Sequence, residues 1–398
     1  MQEDGRKRIL VLIQGMLLVA AVVALSALSS GLWGEKVPKA DAPHVELPDD
    51  TMSLRSIARA YDIQTRALLK NLSLQDESDL DRSLSDLGIT PAQATRALER
   101  ARTVSEEESS KNWRKIALKF TLWAVFLVMV FILMHRKAIT PSRRKALYLA
   151  AAILFGVVLG SDPNPMGTVK DAIVLFGQSG AVFPPRLIAF AVFMVMVIAA
   201  NKFICSWGCQ LGTLQDLLFR INRTRKDTSG IMRQYKIPFV ITNTARIIFF
   251  AALTLAALAW AVDIVEPIDP FKVYHPMALI FGGAVFTGVL LAASLVTYRP
   301  WCHFFCPFGL IGWLGEKFSI SRIRVNYDTC IACRACEKAC PSTVMGAILT
   351  RERTIPDCFA CGTCIHTCPT SSISFTTGKR PRPPEGKFPE KKARRQFS

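Results

Sequence analysis

The sequence predicts an α-helical membrane bundle of about six transmembrane helices, a small helical domain outside the membrane, and a Cys-dense C-terminal α+β module. Three observations carry this. Apolar residues make up 51% of the 398-residue chain and only 20% are charged, with a mean hydropathy of +0.28. This balance excludes a water-soluble protein, a coiled coil and a disordered chain. The apolar residues gather into runs near the length of roughly 20 residues that a bilayer requires. All twelve Cys fall into four short motifs, none of them between residues 30 and 112.

Six apolar segments are predicted to span: 9–28, 116–134, 146–161, 186–204, 237–262 and 277–296. The third is short for a span. The net charge of +18 follows from where the basic residues sit. Arg6, Lys7 and Arg8 precede the first segment. Arg136, Lys137, Arg143, Arg144 and Lys145 separate the second from the third, and Arg220, Arg223, Arg225, Lys226, Arg233 and Lys236 separate the fourth from the fifth. The connections near 162–185 and 263–276 carry Asp162, Asp171, Asp263, Glu266 and Asp269 instead. With six spans all three basic clusters face one side, which the positive-inside rule makes cytoplasmic together with both termini. The first segment also fits a signal peptide, with small residues near Ala24 and Ser26 for cleavage. In either case 30–112 lies outside.

The predicted division is 1–29 as a transmembrane helix or signal anchor, 30–112 as the outer helical domain, 113–325 as a five-helix membrane core, 326–377 as the Cys module and 378–398 as a tail. In the outer domain Leu54, Ile57, Ala58, Tyr61, Ala67, Leu68 and Leu69 recur near helical spacing, and Thr90 before Pro91 reads as a helix N-cap. It holds no metal-ligand or nucleophile constellation, so docking or spacing is its expected role. The tail has eight Lys/Arg against two Glu, with four Pro, and is predicted to be disordered beside an anionic leaflet or an acidic partner. No other part of the chain resembles a nucleic-acid module, so nucleic acid is not an expected partner.

Two of the motifs are Cys330-x2-Cys333-x2-Cys336-x3-Cys340-Pro341 and Cys358-x2-Cys361-x2-Cys364-x3-Cys368-Pro369. This is the spacing of a two-cluster bacterial ferredoxin, in which the fourth Cys of each run ligates the other cluster. Cys330, Cys333, Cys336 and Cys368 are therefore the expected ligands of one [4Fe-4S] cluster, and Cys358, Cys361, Cys364 and Cys340 of the second. Small residues between them (Ala332, Ala335, Ala360, Gly362) leave room for backbone N–H groups near the sulfurs. Structural zinc uses C-x2-C pairs without the repeated Cys-Pro, and disulfides do not suit the cytoplasmic side. The module is thus a ferredoxin-like α+β unit.

The other two motifs, Cys205-x3-Cys209 and Cys302-x3-Cys306-Pro307, each follow an apolar segment and are echoed by Gly212 and Gly309 three residues on. They read as an internal repeat. On a helix, positions i and i+4 share a face, so Cys205, Cys209, Cys302 and Cys306 are a candidate third redox, iron–sulfur or metal centre. The alternatives are small hydrophobic thiols at helix ends and reversible disulfides. The five His are scattered: bis-His haem is not expected, His135 reads as structural, and His366 faces solvent or tunes a cluster. Arg246 falls inside the fifth segment, where an ionisable group is costly and functional by default. It is a candidate for holding a quinone or compensating cluster charge, the alternative being that it snorkels to the interface. Asn201 and Lys202 read as interface markers. The Pro- and acid-rich stretches 161–167 and 266–270 read as rigid turns, or as a quinone gate or partner surface.

Over about 146–377 these motifs resemble the membrane polyferredoxins of the NapH and NosR type, found beside anaerobic respiratory reductases. The resemblance implies an inner-membrane electron-transfer subunit of quinol-dehydrogenase type, relaying electrons between the quinone pool and a redox partner, with clusters on the cytoplasmic side. Gln210 replaces the Pro that follows the second Cys of the pair in that pattern, and 30–112 is not recognisable as the flavin-bearing domain of NosR-type members. A maturation factor delivering metal to a respiratory enzyme, or a redox-responsive regulator, is the alternative function.

Overall fold

The computed structural model describes residues 2–33, 52–60, 113–160 and 163–388 continuously, and 65, 68, 69, 72, 74 and 76–109 in the outer domain. Tyr61, Ala67 and the segment 389–398 lie outside the described residues.

Among the described residues three helices are long and apolar enough to cross a membrane. They are α1 (Gln2–Trp33) over Gly5–Ser29, α4 (Trp113–His135) over Ile116–His135, and α10 (Phe239–Trp260). The helices α7 (Pro184–Ala200) and α11 (Phe281–Ala293) are apolar but shorter. The segment expected at 146–161 begins earlier, as α5 (Pro141–Ala151), with Thr140 accepting the Arg143 N–H at 3.3 Å. It runs without a break into a π-helical stretch, Ala152–Val158. The π turn faces Tyr274, whose ring occupies the space a Cβ on Gly156 would fill, so only glycine admits this approach.

The burial pattern on α10 is the reverse of a soluble helix. Thr242, Arg246, Leu253 and Ala257 are buried on one face, while Ile241, Ile248, Leu255 and Leu258 are exposed on the other. Exposed Leu17 and Leu28 on α1, Val125 and Val128 on α4, and Ile188 and Val195 on α7 continue that apolar exterior. Such a surface suits lipid.

The stretches expected as rigid turns, 161–167 and 266–270, run into segments that fold inward, residues 161 and 162 lying outside the described residues. Residues 165–179 form α6 (Pro165–Ser179), N-capped by Asn164, which accepts from the Met166 and Gly167 N–H groups at 3.0 and 3.3 Å. Gly177 lies against the Ala257 carbonyl of α10, where no Cβ fits. The stretch 266–278 forms three short 3-10 turns that bury Phe271, Val273 and Tyr274. The apolar residues Val169, Val174, Phe271 and Val273 supply the physical reason: each stretch carries enough apolar surface to pack rather than cap.

In the segment 52–109, α2 (Leu54–Ala60) and α3 (Pro91–Ser109) bury a core of their own, including Leu54, Ile57, Leu68, Leu84 and Leu98. Thr90 and Gln93 cap α3 reciprocally, each side chain accepting the other's backbone N–H at 3.3 and 3.0 Å. This body meets the bundle where Arg100 donates to the Ser179 carbonyl at 3.3 Å.

The Cys module starts five residues before the expected boundary. Strand β1 (Ser321–Val325) pairs antiparallel with β2 (Ile373–Thr377), Ser321 opposite Thr377 and Val325 opposite Ile373. It docks on the bundle through Phe375 against Phe131 (5.7 Å between ring centroids), Lys137 Nζ donating to the Ser371 carbonyl (2.8 Å) and Trp207 Nε1 to that of Ala360 (3.2 Å). The expected tail packs as far as Phe388, which is buried against Tyr327, while Arg380 donates to the Ile323 carbonyl at 3.2 Å. The aromatic ring of Phe388 is what holds this basic stretch down.

Candidate metal centres

Within the module, the loop between the first and third Cys of each run is curled by left-handed residues at matching positions: Ala332 and Arg334 in the first, Ala360 and Gly362 in the second. Such alternation turns successive N–H groups inward and forms a concavity for an anion. The third Cys then opens a short helix, α14 (Ala335–Ala339) with Cys336 and α16 (Thr363–Thr367) with Cys364. The fourth Cys leaves each helix in extended conformation, which carries it toward the other run. As a result Cys330, Cys333, Cys336 and Cys368 line one cavity with Val325, Leu349 and Ile373. Cys340, Cys358, Cys361 and Cys364 line another with Tyr298, Phe359 and Met345. Each cavity thus collects three Cys of one run and the fourth Cys of the other. All twelve Cys are free thiols, and among the described residues no three His, Cys, Asp or Glu side chains converge as a single metal ion needs.

The C-x3-C pairs are also brought together, but not as helical i and i+4 neighbours. Cys205 lies in α8 (Phe203–Trp207) and Cys209 caps α9 (Gln210–Ile221) in extended conformation. Cys302 lies in α12 (Pro300–Phe304) and Cys306 caps α13 (Pro307–Glu316), its Sγ accepting the Gly309 N–H at 3.3 Å. Each pair therefore straddles a helix–turn–helix. The turns close so tightly that a Cβ on Gly212 would stand 2.5 Å from the Cys205 carbonyl, and one on Gly309 2.8 Å from that of Cys302. The four thiols lie within electrostatic range of one another. Cys205, Cys302 and Cys306 are buried.

The quartet does not sit at the module end of α4. Trp123 Nε1 donates to the Gly208 carbonyl at 2.9 Å, and Trp123 precedes His135 by twelve residues, about 18 Å along α4 at 1.5 Å per residue. The module contacts that same end of α4 through Met134, which lies against Gly362. The inward-folded stretches reach the quartet from the other direction: Gln210 Nε2 donates to the Pro163 carbonyl (3.2 Å), and the Tyr274 hydroxyl to the Gln210 carbonyl (3.0 Å).

Buried charge surrounds this centre. Asp357, next to Cys358, accepts from Lys202 Nζ at 2.7 Å and pairs with Arg246 at 3.0 Å. Burial opposes its ionisation, but the two cations hold it at about 2. Asp216 pairs with Arg299 and Arg220 at 2.7 and 2.6 Å. Asp227 pairs with Arg144, Arg220 and Arg223. Six buried cations thus share three carboxylates. Arg246 does not snorkel: its side chain is buried, donating to Asn243 Oδ1 at 2.7 Å and the Cys302 carbonyl at 3.3 Å. Lys202 and Asn201, expected at an interface, are fully buried, because Asp357 of the module draws the lysine inward. Asp216, Asp227 and Asp357 were not marked by the sequence. A hint lay in Asp216, which is four residues from Arg220 inside the apolar run of α9. His303 is half-buried against Phe359 (5.3 Å), and His135 and His366 are exposed.

Family comparisons agree with this layout. A family model described as a 4Fe-4S binding domain matches twice, at 182–227 and 279–324. The two matches are offset by 97 residues, as Cys302 is from Cys205. A second model of the same description matches 323–343. The putative electron transport protein YccM of Escherichia coli K12 is 29% identical over 211 residues, covering 51% of this chain and 59% of that protein. The methylamine utilization ferredoxin-type protein MauN of Paracoccus denitrificans is 26% identical over 187 residues (44% and 61%). The ferredoxin-type protein NapH of E. coli K12 is 26% identical over 156 residues (38% and 52%). The matched region thus covers less than two thirds of each of these relatives. No solved structure matches the chain. The chain carries 4Fe-4S binding domains and is similar to the ferredoxin-type electron-transport proteins of NapH type.

Proposed function

We propose that this chain is a membrane-bound relay of single electrons between the quinone pool and a redox partner of a respiratory chain, and is not itself the site of substrate chemistry. One cluster is held by Cys330, Cys333, Cys336 and Cys368, the other by Cys340, Cys358, Cys361 and Cys364. The observation that carries the reading is that each interlaced quartet lines its own cavity.

A [4Fe-4S] cluster supplies one-electron carriage when bound. The chain's own residues do the rest. The left-handed residues of each loop aim N–H groups at the thiolates, and Ile323, Met345 and Phe359 keep the second cavity dry, the levers by which a protein sets potential. Arg246 and Lys202 place positive charge beside the Cys358 run; Arg246, committed to Asp357 and Cys302, acts as a charge partner in this reading and not as a quinone ligand.

In this reading the chain lies in a bacterial inner membrane with six spans, both termini and the module cytoplasmic, and the domain at 30–112 outside. The basic clusters 136–145 and 220–236 support that orientation, since both lie at the module end of the bundle. Anaerobically purified protein should contain iron and sulfide and show two cluster EPR signals, and adding a quinol should reduce them. Clusters that neither accept electrons from quinol nor give them to quinone would sink the quinone assignment; a colourless, iron-free protein would sink the whole reading.

A further inference from the structure

We propose that Cys205, Cys209, Cys302 and Cys306 together hold a third iron–sulfur cluster inside the membrane bundle, each half of the internal repeat supplying two thiolates. This rests on the ferredoxin reading above only for the supply of iron and sulfide.

The repeat halves cross-brace each other. Lys202, three residues before the first Cys of one half, donates to the carbonyl of Gly309, three residues after the second Cys of the other, at 3.0 Å. Arg299, three before the first Cys of the second half, lies 3.0 Å from the Cβ position of Gly212 and donates to the Cys205 carbonyl at 2.6 Å. Through this exchange each half of the repeat holds the Cys-bearing turn of the other.

The lining asks for an anion. Lys202, Arg246 and Arg299 are fully buried around the quartet, and each of the two carboxylates they meet, Asp357 and Asp216, already holds two cations. An unbalanced buried charge is costly; a thiolate-ligated cluster brings negative charge to that place. Unspent donors point the same way. Gln215, whose amide is 3.9 Å from Cys302 Sγ, leaves its Nε2 without a partner, as do Arg246 Nε and Trp301 Nε1, all buried. Sulfur is a fitting acceptor for them, and a thiolate turns the Gln215 amide to donate. Binding releases the thiol protons to solvent.

The place is consequential. Phe359, adjoining Cys358, packs on Lys202 (4.7 Å), Arg299 (5.0 Å) and His303 (5.3 Å), so the centre stands next to the second module cavity.

Iron and acid-labile sulfide are to be counted in the full chain purified without oxygen. Two cubanes account for about eight iron atoms; a third centre brings the total to about ten as [2Fe-2S] or about twelve as [4Fe-4S]. The double variant Cys205→Ser/Cys302→Ser should fall to about eight and keep both module EPR signals. Eight atoms in the native protein, or an excess that survives the double variant, overturns the proposal while leaving the module reading in place; an iron-free native protein overturns the module reading instead. Gln215→Leu, which keeps every thiol, should lower the midpoint of the extra signal and leave the module's two unmoved. A shift confined to the module's signals overturns the assignment.

Discussion

The module and the bundle each gather four-thiol groups, and they do it by opposite means. In the module, the two Cys runs begin 28 residues apart (Cys330 and Cys358), and each loop is shaped by its own left-handed residues, Ala332, Arg334, Ala360 and Gly362. In the bundle the contributing pairs are 97 residues apart, and each turn is clamped by a side chain from the other half, Lys202 on Gly309 and Arg299 on Cys205. A local loop can prefigure its ligand geometry; a site assembled across the bundle depends on its buried ion pairs. Sensitivity to charge should therefore separate the two.

The largest expected effect tests the local site. Cys361→Ser should remove about one cluster, four of the iron atoms, with loss of one EPR signal and retention of the other; loss of both would mean that the two loops do not fold independently of their clusters. Next comes the bundle. Asp357→Ala strands Lys202 and Arg246 together in a buried site and should destabilise the protein by about 3–5 kcal/mol, read as a lowered unfolding temperature in detergent, whereas breaking the exposed ion pair Arg55–Asp81 (2.6 Å) should leave that temperature unchanged. Gly212→Ala forces a Cβ against the Cys205 carbonyl and should cost about 1–3 kcal/mol, while Gly288→Ala, in open space on α11, should not destabilise. The smallest effect is Thr90→Ala, which removes the cap of α3 for about 1 kcal/mol and should leave the iron content unchanged.

The degree to which each site could be read from the chain follows the same division. The Cys-x2-Cys-x2-Cys-x3-Cys-Pro runs carry their geometry in their spacing, so the grouping of thiols around each cavity was legible in full. The C-x3-C pairs were legible as a repeat but not in their shape: helical periodicity places Cys205 and Cys209 on one face, and the extended conformation of Cys209 breaks that helix. Depth was hidden too, because hydropathy marks where a segment is apolar and not where the Trp123–Gly208 contact sets it. Lys202 read as an interface residue because its partner, Asp357, is 155 positions away. The Pro- and acid-rich stretches 161–167 and 266–270 show the limit of charge patterning. They read as rigid turns, yet Pro165 already opens α6, where Lys170, buried and paired with Asp263 at 2.7 Å, carries charge into the packed interior.

The Lys202–Asp357–Arg246 triad has a consequence for dissection of the molecule. Its two basic members belong to the oily scaffold and its acidic member to the water-facing appendage, so neither part is electrically complete alone. A membrane fragment cut before β1 would insert with two orphan positive charges in its interior, and grafting a foreign ferredoxin onto the scaffold would fail unless the graft brought an aspartate to the position preceding its own second cysteine run.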